Sequence, residues 1–139
     1  MAYMPSNLLL LQEDITTAVT AFTTTPVIGF AKAKSLEIQC DFTYGSGGTT
    51  VKVWVQTSFD AGTTWVDIAN FAHTTASLRR LYNLSALTPV TTVYTATDGT
   101  LADNTAKDGL IGDQLRVKMT TTGTYAGGTI IFVNACAKD

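Results

Sequence analysis

Few residues in this chain could do acid–base or nucleophilic chemistry. His73 is the single histidine in 139 residues. A metal centre needs several His, Cys or carboxylate ligands brought together, and no such cluster stands near His73 in the chain. A serine, threonine or cysteine nucleophile needs a base beside it, and His73 is the only imidazole to serve. Paired carboxylates for general acid–base work are missing as well, because the acidic residues, Glu13-Asp14 apart, stand singly on outward strand positions or in glycine turns. The expectation is a surface or turn histidine, no enzyme activity, no metal and no cofactor.

Other stretches invite a chemical reading and fail on spacing. Gly45-Ser46-Gly47-Gly48 lacks the Lys-Ser/Thr and the following helix of a phosphate-binding loop, so it reads as a flexible turn. Asp98–Asp113 carries Asp98, Asp103, Asp108 and Asp113. A calcium loop needs ligands at alternate positions and a closing Glu, and solvated turn aspartates fit this run better. Trp54, Trp65, Tyr82 and Tyr94 could stack on sugars, or they could pack the core.

Lys and Arg number 9 against 11 Asp and Glu, a net charge of −2. No basic stripe marks a nucleic-acid surface, and Arg79-Arg80 reads as a charged strand edge. No apolar run approaches the roughly 20 residues of a membrane span. Met1–Ile15 has no Lys or Arg ahead of its short leucine run, which argues against a secretion signal and for folding in a reducing cytoplasm. Cys40 is expected as a buried free thiol, with a Cys40–Cys136 disulfide as the alternative.

The elements that position these residues are strands. The chain is 45% hydrophobic and only 14% charged, and about one residue in five is Thr, a β-branched residue suited to a pleated surface. Val51, Val53 and Val55 alternate with Lys52, Trp54 and Gln56, and Val66 and Ile68 alternate with Trp65 and Asp67. Period two of this kind is a half-buried strand. Trp54 falls opposite the valines, so a second sheet or a partner is expected over that face. Leu36, Ile38, Cys40 and Phe42 make another clean strand, and Ser35–Asn70 reads as a three-stranded antiparallel meander. Further strands are expected at Ile15–Thr25, at Val27–Phe30, at Ser77–Leu84 with a possible bulge, at Val90–Thr97, at Leu115–Thr120 and at Thr129–Ala137. The last is apolar on both faces, hence covered on both sides or joined to another subunit. Leu8–Leu11 cannot send four consecutive side chains into one core. The run packs on its own domain, or it forms an arm (residues 1–14) that docks on a partner. The whole is expected to be one all-β domain (residues 15–139), an antiparallel sandwich of about eight strands, with a jelly roll as the specific form.

Ser58-x-Asp60-x-Gly62-x-x-Trp65 resembles the Asp-box, a structural hairpin turn of many β-proteins, and its single occurrence implies no enzymatic role. A wider likeness runs through VQTSFDAGTTWVDIANFAHTT, RRLYNLSALTPVTT and DGTLADNTAKDGLIGDQLRVKMTTTGTYAGGT. These segments resemble small virion proteins of tailed bacteriophages, and more narrowly the head decoration or cement proteins of short-tailed phages. The resemblance implies a protein made in the host cytoplasm that sits on the outer surface of the head. Its partners would be the major capsid protein and further copies of itself, as a homodimer or homotrimer. Leu8, Leu9, Leu10, Leu11 and Trp54 are the expected interface contacts. Tail, neck or fibre components, and a glycan-binding module on the particle, are the rival readings.

Overall fold

Alternation of apolar and polar residues becomes strand after strand in the computed structural model, which describes residues 7–139. In chain order these are β1 (Leu8–Asp14), β2 (Phe22–Thr23), β3 (Val27–Ile28), β4 (Ser35–Thr43), β5 (Ser46–Gly47), β6 (Thr50–Ser58), β7 (Val66–His73), β8 (Leu78–Ser85), β9 (Gln114–Thr122), β10 (Tyr125–Ala126) and β11 (Ile130–Lys138). No helix occurs among the described residues. One sheet runs β1-β11-β4-β8 and the other runs β2-β9-β6-β7, with β3 also on β9. Every pairing is antiparallel, and the two apolar faces pack on each other as a β-sandwich. With β2 and β3 taken as one interrupted strand, and the small β5–β10 ribbon set aside, the strand positions run 1-8-3-6 in one sheet and 2-7-4-5 in the other.

The core is built from the expected residues. Leu36, Ile38, Cys40 and Phe42 of β4 meet Val51, Val53 and Val55 of β6, together with Leu115, Val117 and Met119 of β9 and Ile131 and Val133 of β11. Each large side chain taken wholly out of water contributes roughly 1.5–3 kcal/mol.

Several expectations need correction. Ser35–Asn70 is not a meander: β4 and β6 lie in different sheets, and their apolar faces oppose each other across the core. The glycine run between them crosses from sheet to sheet and pairs with β10 on the way. Gly48 is required there, because a Cβ would fall into the Tyr125 ring. Ile15–Thr25 is mostly irregular. Its backbone is held to β9 partly by hydroxyls, with the Val19 N–H donating to Thr121 Oγ1 and the Val117 N–H to Thr24 Oγ1. The bulge expected in β8 is missing; one lies in β1 instead, between Leu9 and Leu11, and another between Val55 and Gln56. Val90–Thr97 forms no strand.

Leu8–Asp14 is an edge strand of the sandwich, paired along its length with β11; residues 1–6 of the expected arm lie outside the described residues. The bulge resolves the leucine run. It turns Leu10 and Leu11 both into the core and leaves Leu8 half-buried and Leu9 exposed.

The face carrying Trp54 is covered by neither a second sheet nor a partner. The chain's own 97–107 segment covers it. Asp67, fully buried on β7, accepts hydrogen bonds from the N–H groups of Gly99 (2.8 Å), Thr100 (3.0 Å) and Leu101 (3.1 Å), and from Thr97 Oγ1 (2.8 Å). The segment then follows the free edge of β7, where the Asn70 N–H donates to Thr105 O and the Lys107 N–H to Ile68 O. Trp54 ends 6% exposed, its indole N–H donating to Leu101 O at 3.0 Å. Asp67→Ala strips the acceptor from these four donors and from the buried Gln56 Nε2, which donates to Asp67 Oδ1 at 2.8 Å. It is expected to lower unfolding stability by about 3 kcal/mol or more, read from the urea midpoint, and to raise acrylamide quenching of Trp54 fluorescence.

Candidate functional site

Two residues at the sandwich interior could in principle act as nucleophile and base. Cys40 on β4 and His73 at the end of β7 meet across the core, with Sγ and Nε2 3.4 Å apart. His73 is 1% exposed, and its ring stacks on Phe42 at 4.8 Å. The histidine is thus in the core and not at a surface or turn, because β7 continues three residues past the Asn70 where its sequence pattern fades. Burial pushes the Cys40 thiol up to about 12 and pulls the His73 imidazole down to about 4, and the Arg80 cation adds to the latter. A catalytic thiolate–imidazolium pair requires the opposite shifts. Both groups are held neutral as packing residues.

Cys136 cannot reach Cys40. It points to the outer face of the same sheet, and both cysteines are free thiols. Among the described residues, no three His, Cys, Asp or Glu side chains gather as a metal site would require.

The polar side chains singled out from sequence hold the fold. Asp60 takes the Thr64 hydroxyl (2.6 Å) and N–H (2.8 Å) and the Ser58 hydroxyl (2.9 Å), and these bonds keep its carboxyl below the usual range. Gly62, at φ 87°, donates its N–H to Ser58 Oγ. This closes the β6–β7 turn and sets Trp65 against the Arg116 guanidinium, 4.3 Å from its ring. Asp98 ties Gln56, Lys118 and Arg116 to the covering segment, and Asp103 ties Lys52. Asp108 holds the Ser85 N–H and the Thr88 hydroxyl. The four candidate stacking aromatics are likewise engaged. Trp54 and Trp65 are buried, Tyr82 packs on Phe71, and Tyr94 lies under Lys107 with its hydroxyl on Asp67 O.

What remains open is apolar. Residues 86–97 (ALTPVTTVYTAT) carry no charge. They are tethered at one end by Thr88 to Asp108 and at the other by Tyr94 and Thr97 to Asp67. Between the tethers the chain projects, with Val93 91% exposed. Beside it Phe59, at the tip of the Asp60 turn, is 58% exposed. Phe59, Val66, Val90, Val93, Tyr94 and Leu110 line a groove of about 420 Å³. Isolated exposed apolar side chains need no explanation, but a group held in place by polar tethers is a candidate contact surface.

Of the residues expected as interface contacts, Leu8–Leu11 and Trp54, only Leu9 is exposed, and the apolar groove lies elsewhere. The signal available was a charge-free, proline-bearing stretch of β-formers, which read as an ordinary strand. Comparison with protein-family models, with curated proteins and with solved structures finds no match to this chain.

The His73 environment sets a pH dependence. An unfolded histidine titrates near 6.5, whereas His73 in the fold titrates near 4. Between those values the unfolded chain binds the extra proton, so stability falls as pH drops from 6.5 to 4, by up to about 3 kcal/mol. Asp60, Asp98 and Asp108, whose carboxyls are held low, lose their contribution only in the more acid range below. His73→Phe is expected to flatten the upper part of a urea-midpoint profile against pH and leave the acid limb in place.

Proposed function

We propose that this protein is a non-enzymatic structural component of a virus particle, a head decoration or cement protein of a tailed bacteriophage that binds the outer shell through the groove end of its sandwich. The carrying observation is the uncharged Leu87–Tyr94 projection beside Phe59, fixed at both ends and left in the open. Asp60, Asp67, Asp98, Asp103 and Asp108, and the aromatic rings of Trp54, Trp65, Tyr82 and Tyr94, are engaged in internal contacts, which suits a protein that works by contact. The strand order 1-8-3-6 over 2-7-4-5 reads as a jelly roll, an architecture common in viral capsid proteins; this is an analogy of fold, which by itself carries no function. Many weak apolar contacts repeated over a shell add up to firm attachment.

The test is copy number in purified particles, measured by mass spectrometry against the major shell protein. A simple large ratio is expected. A handful of copies would move the protein to the neck or tail, and absence from particles would contradict the reading. Val93→Asp is expected to change stability by less than about 0.5 kcal/mol, as for an exposed site, yet to weaken binding to particles stripped of the protein, measured by co-sedimentation.

A further inference from the structure

Among the described residues, the sheet β1-β11-β4-β8 ends on two edges that pair with no further strand, and these are matched to each other. In an antiparallel ladder, successive residues of an edge strand alternate between bonding inward and pointing their N–H and C=O outward. The Ala86 N–H donates to Lys34 O, which fixes the phase of β8: Arg79, Leu81 and Asn83 point outward. The Ile15 N–H donates to Thr129 O, which fixes the phase of β1: Gln12 and Asp14 point outward. Two rows of backbone groups are therefore left for pairing.

Side chains on the outer face follow the same rows. One row reads Leu9, Asn134, Gln39, Leu81 across the sheet, and the next reads Gln12, Phe132, Asp41, Arg79. Leu9 and Leu81, at opposite ends of one row, are 49% and 64% exposed. The β1 edge is acidic, with Glu13 and Asp14, and the β8 edge is basic, with Arg79 and Arg80. Among the described residues no ion pair uses Glu13, Asp14 or Arg79.

We propose that a second copy of this chain docks its β1 edge antiparallel against the β8 edge, continuing the four-stranded sheet from one subunit into the next. Strand directions alternate across the sheet, so β1 of a copy placed in line runs antiparallel to β8. In that register Leu81 meets Leu9 of the neighbour, and Arg79 lies opposite Gln12 and diagonal to Asp14. Opposite charges at such positions attract, whereas like charges facing each other repel. Pairing β1 with β1, or β8 with β8, would oppose like charges. The charges therefore disfavour a two-fold dimer through either edge and favour a head-to-tail contact, which closes a ring where the rotation allows.

The experiment uses charge exchange, read by size-exclusion chromatography with light scattering. The unaltered chain is expected to run as an oligomer. Arg79→Glu alone and Asp14→Arg alone, both at exposed positions, are each expected to fall to the mass of one 14.8 kDa chain with an unchanged far-ultraviolet circular dichroism spectrum. Mixed in equal amounts, the two variants are expected to reassemble, because each supplies the edge that the other accepts. A monomeric unaltered chain, a single variant that assembles like it, or a mixture that stays monomeric would each overturn the proposal.

Discussion

The buried carboxylate of Asp67 organises one whole side of this molecule. A charge sealed from water is tolerated only when hydrogen bonds replace its hydration, and here one bond comes from Gln56 of β6 and the rest from one short stretch, Thr97–Leu101. The carboxylate thus folds an otherwise irregular segment onto the sheet, buries Trp54 beneath it and brings Asp98 within reach of Arg116 and Lys118. The same carboxylate–loop contact anchors one end of the projecting 86–97 stretch. The position of the exposed valines is therefore a consequence of a buried acid.

Polar groups are used in the same way elsewhere. Asp60 closes a turn and presents Phe59; Asp108 ties Thr88 and presents Leu87 and Val90. Asp108, one of four aspartates whose sequence setting suggests ion binding or solvation, instead positions apolar side chains on the outside. Cys40 and His73, the pair closest to a reactive arrangement, are both driven to their neutral forms by burial. The surface then offers contact and little chemistry, which supports the reading of a particle component held among neighbours.

The sandwich was legible because period two is a local property. Ser35–Thr43, Thr50–Ser58, Val66–His73 and Gln114–Thr122 all stand where alternation puts them, and Ile130–Lys138 stands where its unbroken apolar run puts it. Pairing between strands is not local, and a glycine turn between two clean strands does not say whether they lie side by side or face to face; here they face. His73 was misplaced because one histidine after a fading pattern carries no sign of the Phe42 ring that receives it. The alternation correctly sets Trp54 off the valine face, but it points to a second sheet or a partner as the cover, whereas the cover is an irregular segment 47 residues downstream. Val90–Thr97 has the composition of a strand, yet it pairs with no strand of either sheet. This conflict between local preference and fold marks the place where a contact surface is proposed.

The most direct measurement is native-state hydrogen exchange of the Gly99, Thr100 and Leu101 amides. If Asp67 clamps the segment as a fixed layer, these amides exchange nearly as slowly as those of central strand β6, despite lying in a region without regular structure. If they exchange as fast as Thr91 and Thr92 in the open projection, the segment is not held, Trp54 is only transiently covered, and the surface described here is not the one the protein presents.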